Sequence, residues 1–214
     1  MDKIDILQML QQEKLVAVIR AESKEQGLKI VDAVQNGGIR FLEITMTVPG
    51  AIKIIETLIE NNQGKNVVIG AGTVLDEETA RAAILAGAQF IVSPMYSEAV
   101  ITMCNRYRIP VMTGAQTVTE IVDALEHGVD VVKIFPGDAY SPKIIKSFKG
   151  PIPQAHYMPT GGVSVENIHE WLQAGAFAVG TGSSLTAGAK TGNYQLVEEE
   201  ARRFVAAVRE FSQK

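Results

Sequence analysis

The chain has 214 residues, 46% of them apolar and 21% charged, with a formal net charge of −4. That is the size and balance of one soluble domain with a sizeable core, and an acidic chain argues against nucleic acid or an anionic membrane as the main partner. A single cysteine excludes an intramolecular disulfide framework and a cysteine-based zinc cage, and the three histidines show no metal-ligand spacing.

Residues 1–13 mix Asp2, Lys3, Asp5 and Glu13 with leucines. This pattern predicts a short amphipathic helix rather than a signal peptide. No segment approaches the ~20 apolar residues of a membrane span. The expectation is a soluble, cytoplasmic protein with no membrane partner and one domain over residues 1–214.

From Leu15 onward one theme repeats: a short β-branched run, a turn, then a helical stretch rich in Ala, Glu, Lys and Leu. The apolar runs are Leu15–Ile19, Ile39–Ile44, Val67–Ile69, Phe90–Val92, Ile109–Met112, Val129–Phe135, His156–Met158 and Phe177–Val179. Helices are predicted between them at Lys24–Gln35, Ala51–Glu60, Glu77–Leu85, Glu98–Tyr107, Val118–Glu126, Pro142–Phe148 and Val165–Gln173, with a last one over Tyr194–Phe211. Cys104 falls on one of these as a small buried residue. Glycine closes most helices, at Gly37-Gly38, Gly87, Gly128 and Gly175. Mostly continuous apolar strands belong to a parallel sheet covered by helices. Eight strand–helix units predict a TIM (β/α)8 barrel with a short N-terminal helix. An open doubly wound sheet would expect a glycine-rich loop after the first strand, and Arg20-Ala21-Glu22-Ser23 is not one.

In such a barrel chemistry sits at the C-terminal ends of the strands. Lys133 lies inside the apolar run Val131-Val132-Lys133-Ile134-Phe135-Pro136, where alternation groups it with Val131 and Phe135 on the inner face. Burial there disfavours the ammonium and yields a nucleophilic amine. The structural alternative is a lysine paired to a buried acid. Glu43 shares an inner face with Phe41 and Thr45, as a proton shuttle beside the amine or as an ion-pair partner for Arg20 or Lys133. Arg20 ends the first strand and offers a planar fork to a carboxylate. The last two strands end in Thr160-Gly161-Gly162 and Gly180-Thr181-Gly182-Ser183, where phosphate sites of these barrels commonly form from backbone N–H groups.

Six motifs then carry a resemblance over nearly the full length: Val16-Ala17-Val18-Ile19-Arg20, Leu42-Glu43-Ile44-Thr45, Gly70-Ala71-Gly72-Thr73-Val74, Ser93-Pro94, Lys133-Ile134-Phe135-Pro136-Gly137 and Pro159-Thr160-Gly161-Gly162-Val163. In this order and spacing the chain resembles the 2-keto-3-deoxy-6-phosphogluconate (KDPG) / 4-hydroxy-2-oxoglutarate (KHG) aldolase family. The resemblance implies a Schiff-base aldolase that splits a phosphorylated 2-keto-3-deoxy sugar acid into pyruvate and glyceraldehyde 3-phosphate. It implies Lys133 as the imine-forming residue and Glu43 as general acid/base. Thr73 and Arg20 would hold the pyruvate carboxylate, and Pro94 and Phe135 would shape the pocket. Thr160, Gly161, Gly162, Gly182 and Ser183 would meet the phosphorylated end. It further implies no metal or cofactor and a homotrimer.

Two departures bear on the substrate. Some members carry an arginine a few residues after the glutamate, where this chain has Thr47, so the role passes to Arg20. The fifth strand ends Thr113-Gly114-Ala115-Gln116 in place of a proline-glycine pair with a following aliphatic. That change leaves open the galactonate epimer of the substrate, or unphosphorylated 4-hydroxy-2-oxoglutarate. The competing readings are a non-imine epimerase or synthase on a phosphate-binding barrel, and an inactive barrel serving as a scaffold.

Overall fold

A computed structural model describes residues 1–213. Helix α1 (Lys3–Glu13) precedes eight strands: β1 (Leu15–Ile19), β2 (Phe41–Thr45), β3 (Val68–Gly72), β4 (Ile91–Val92), β5 (Val111–Gly114), β6 (Val131–Ile134), β7 (Tyr157–Pro159) and β8 (Val179–Thr181). Between them run α2 (Lys24–Asn36), α3 (Ala51–Asn61), α4 (Glu77–Leu85), α5 (Glu98–Tyr107), α6 (Val118–Glu126), α7 (Lys143–Lys149) and α8 (Ile168–Gln173), and α9 (Tyr194–Ser212) ends the fold. Two 3-10 turns, Gly137–Ala139 and Ala187–Thr191, follow β6 and β8.

All strand pairs are parallel, in the order β7-β6-β5-β4-β3-β2-β1-β8. A bridge between Thr160 and Gly180 joins β7 to β8 and closes the ring. The expected (β/α)8 barrel is the observed one. Local chemistry starts the helices: Asp2, Ser23, Asp76, Ser97, Thr117 and Asn193 each accept a backbone N–H in the first turn, worth about 1 kcal/mol apiece. The glycines expected to end helices do so at Gly38, Gly87, Gly128 and Gly175, all with positive φ.

Seven of the eight strands begin one or two residues later than their apolar runs. The runs include the chain's entry into the sheet, while the ladders extend into polar and glycine residues such as Gly70 and Gly72. Helix α8 begins at Ile168 rather than Val165, because residues 164–167 form a turn in which Asn167 Oδ1 accepts the Ser164 N–H at 3.0 Å.

The core has two layers. One lies between sheet and helices. The other fills the barrel's lower interior with Val16, Phe41, Val68, Phe90, Met112, Val131 and Met158. Helix α1 lays Ile6, Met9 and Leu10 against that inner cluster and plugs the bottom of the barrel. Lys3 pins the plug by reaching Asp130 at 2.8 Å, and the same carboxylate oxygen accepts the Val111 N–H. The bottom is therefore apolar and sealed, which leaves the upper end for chemistry.

Candidate active site

Two residues above the apolar layer, alternation returns to the inner face on Glu43 and Lys133. Lys133 is 4% exposed and Glu43 is fully buried, and Nζ stands 3.5 Å from Glu43 Oε1. Of the partners considered for Glu43, the structure gives it Lys133; Arg20 is exposed and makes no ion pair among the described residues. Glu43 Oε2 is buried without a protein hydrogen-bond partner. Removing two charges from water costs several kcal/mol per ion, offset only when geometry is good and the remaining lone pairs are satisfied. One long contact and an empty oxygen do not meet that condition. The pair is therefore a poor source of stability.

Neighbouring backbone makes the room. Gly72 ends β3 against Glu43: a Cβ there would stand 2.0 Å from Oε1 and 2.4 Å from Cγ. On β5, Gly114 pairs in register with Lys133, and a Cβ on it would meet the Pro94 carbonyl oxygen at 2.0 Å. Pro94 thus folds over the end of β5 close to the lysine's strand. Thr73 follows Gly72 with φ 55, a left-handed conformation that a β-branched residue adopts at a cost of order 1–3 kcal/mol. The Phe135 ring centroid lies 5.4 Å from Lys133 Nζ, as expected from their shared face. Its backbone carbonyl accepts from Gln116 Nε2 at 2.7 Å. The departure at the end of β5 therefore holds the segment after Lys133.

A cavity of about 660 Å³ opens at the C-terminal ends of β1, β6, β7 and β8. Arg20, Phe135, Thr160, Gly161, Gly162, Gly182 and Ser183 all line it, which brings seven of the sequence-selected residues together. Lys133, Glu43, Thr73 and Pro94 are not on its wall; the first two lie buried in the barrel interior. Thr160, 4% exposed, lines the cavity, and its hydroxyl is buried with no protein partner. Gly161 and Gly162 have φ 97 and 67, which turns their backbone sharply after β7. The second turn is braced by Ser184 and Thr181, whose hydroxyls both donate to the Val163 carbonyl.

Cys104 is buried, and burial pushes its thiol up to about 12, so no thiolate is available. No cluster of three or more metal-ligating side chains occurs among the described residues. Sequence reasoning passed over Lys190 and Asp138, which also line the cavity; both sit in the short 3-10 turns after β8 and β6, whose pattern carries no period.

Comparison with known proteins places this geometry. The sequence profile of the family described as KDPG and KHG aldolase matches residues 6–199. The 2-dehydro-3-deoxy-6-phosphogalactonate aldolase of Escherichia coli is 34% identical over 197 residues, 92% of this chain and 95% of that protein. The 2-dehydro-3-deoxy-phosphogluconate aldolase of Pseudomonas aeruginosa is also 34% identical, over 74% of this chain and 72% of its own length. A crystal structure of KDPG aldolase from Legionella pneumophila superposes with a TM-score of 0.83 at 30% identity, covering 92% of this chain and 96% of that one. That protein was captured with pyruvate as a covalent carbinolamine intermediate.

Proposed function

The chain belongs to the KDPG and KHG aldolase family, and from that premise we propose that it cleaves 2-dehydro-3-deoxy-6-phosphogluconate to pyruvate and glyceraldehyde 3-phosphate, with Lys133 as the imine-forming residue. The observation that carries the reading is the buried Lys133 amine 3.5 Å from a carboxylate whose second oxygen has no protein partner.

Lys133 Nζ adds to the C2 carbonyl of the sugar acid, and the carbinolamine loses water to give a protonated imine. Glu43 takes the proton of the C4 hydroxyl. The C3–C4 bond breaks, the electron pair moves into the imine to form an enamine, and the aldehyde leaves. Glu43 returns the proton to C3, and hydrolysis frees pyruvate and the amine. The iminium is the electron sink, so the chemistry requires no metal. Arg20 and Thr73 hold the carboxylate, Pro94 and Phe135 bound the pyruvyl group, and Thr160, Gly161, Gly162, Gly182 and Ser183 receive the distal, phosphorylated end.

Incubation with pyruvate and borohydride, followed by peptide mass mapping, tests this. A reduced pyruvyl adduct on Lys133 is expected, absent from a folded Lys133→Ala variant. No adduct on the wild-type lysine refutes the imine.

A second reading keeps the chemistry and changes the substrate to the galactonate epimer, favoured by the near full-length match to the phosphogalactonate aldolase. Comparing kcat/KM for the two epimers and for 4-hydroxy-2-oxoglutarate decides between them. Assembly into a homotrimer follows from the family resemblance, and light scattering checks it. A cytoplasmic setting accords with the metabolic chemistry. No described helix is long and apolar enough to cross a membrane.

A further inference from the structure

The cavity carries a charged side chain that lies outside every motif quoted above. Four charged residues line it: Arg20 and Lys190, Glu22 and Asp138. Neither cation makes an ion pair with any described carboxylate, including the two acids that share the cavity. The two glycine turns supply backbone N–H groups but no full positive charge. A phosphate monoester carries about −1.5 to −2 near neutral pH, and a 2-keto sugar acid phosphate is anionic at both ends. Arg20 is assigned to the carboxylate. Lys190 is then the remaining unpaired cation on the cavity wall.

Its backbone is fixed relative to the second glycine turn. Thr186 donates both its N–H and its hydroxyl to the Gly182 carbonyl, at 2.9 and 3.0 Å. Ala189, next to Lys190, is buried, donates its N–H to the Thr186 carbonyl at 3.0 Å, and accepts from Gln26 Nε2 at 3.3 Å. Gln26 Oε1 in turn accepts the Glu22 N–H at 2.8 Å. One side chain thus ties the loop that carries Arg20 to the turn that carries Lys190. The Lys190 stem starts from a held point, and its ammonium is exposed and free to reach a ligand.

We propose that Lys190 is a substrate-binding residue that engages the phosphate-bearing end of the substrate and sets the preference for phosphorylated over unphosphorylated 2-keto acids. This rests on the aldolase reading, and it adds a specificity-determining residue to the same cavity. Lysine acts on phosphate as a mobile point charge, so its removal weakens binding of the charged end and leaves the chemistry at Lys133 in place.

The test compares Lys190→Met and Lys190→Arg with the wild type on two substrates. For the phosphorylated sugar acid, Lys190→Met should raise KM about 10- to 100-fold, the worth of a charge-assisted hydrogen bond, with kcat within about twofold. Cleavage of 4-hydroxy-2-oxoglutarate and borohydride trapping of pyruvate should stay at wild-type levels. Inorganic phosphate should lose potency as an inhibitor by a similar factor, and Lys190→Arg should recover most of the loss. An unchanged KM for the phosphorylated substrate, or an equal loss on both substrates, overturns the proposal. Inorganic phosphate binding by calorimetry keeps the two readings apart. A wild-type protein that traps no pyruvate but loses phosphate affinity in Lys190→Met would sink the aldolase reading and leave the Lys190 site standing.

Discussion

Gly72→Ala puts one methyl group into the space that the Glu43 carboxylate occupies. The added Cβ would lie 2.0 Å from Oε1, 2.4 Å from Cγ and 2.5 Å from Cδ, more than 1 Å inside ordinary van der Waals contact. Oε1 is the oxygen that faces Lys133, so relief of the clash changes the distance that matters. A misplacement of about 1 Å costs on the order of 10²-fold, and complete loss of a positioned acid/base costs about 10²–10⁴. The expected kcat loss therefore falls in the range of about 10²–10³. Overpacking costs about 1–3 kcal/mol, or about 2–4 °C in Tm per kcal/mol for a chain of this size, so melting will show whether the variant stays folded. Exchange of the pyruvate methyl protons into deuterated water, followed by NMR, reads proton transfer apart from imine formation. Exchange should collapse while borohydride still traps pyruvate on Lys133. Combining Gly72→Ala with Glu43→Gln closes a double-mutant cycle. If Gly72 acts only through Glu43, the double variant is hardly worse than Glu43→Gln alone. Near-normal exchange in Gly72→Ala, or fully additive losses in the cycle, would refute the reasoning.

Thr160→Val replaces a buried hydroxyl that has no protein partner with a methyl of similar volume. Leaving such a group unsatisfied costs roughly 1–3 kcal/mol, so melting in the absence of substrate should rise by several degrees while kcat/KM for the sugar acid falls; a lower Tm with intact kinetics contradicts the assignment. Cys104 should resist iodoacetamide at pH 8 in the native protein and react only as fast as the chain unfolds. Because its folded thiol is held near 12, above the ordinary 9.0, stability is unaffected by this group below about pH 9 and declines as pH rises from there toward 12. Cys104→Ala should flatten that decline in alkaline denaturation curves.

Lys133 and Glu43 were legible because a charge inside an alternating apolar strand has few places to go. Their mutual contact was one of several arrangements left open, since alternation fixes the face but not which neighbours on that face touch. The glycine turns were legible as a phosphate-type rim, and they do line one cavity with Arg20. Gly70 and Gly72 follow the apolar run Val67–Ile69, and the ladder of β3 extends through both, ending at Gly72. Their meaning is steric: a Cβ on Gly70 would strike the Phe90 ring at 2.5 Å, and one on Gly72 would strike Glu43. No one-dimensional pattern reports a clash across two strands. Gln116 was visible only as a departure, and its bond to the Phe135 carbonyl needed the register of β5 against β6. Lys190 lies in the short 3-10 turn between β8 and α9, where no period tells which way a side chain faces.

The barrel separates stability from reactivity along its axis. Below, the inner strand positions carry Phe41, Val131 and Met158, and α1 seals them from water. One alternation step higher, the same three strands present Glu43, Lys133 and Thr160, all nearly inaccessible and two of them with an unpartnered polar atom. Because the two layers share β2, β6 and β7, packing of the lower layer fixes where the upper groups stand without contacting the substrate itself. Unpaired polar atoms in that position are affordable only while the apolar layer beneath them holds, and a ligand that supplies their missing partners binds to groups already oriented. A cavity-forming substitution in the plug, such as Leu10→Ala on α1, acts first on the rigidity beneath the site rather than on any group that touches the substrate. Its kinetic signature should therefore be a fall in kcat that tracks the loss of thermal stability, with the Lys133 adduct still formed.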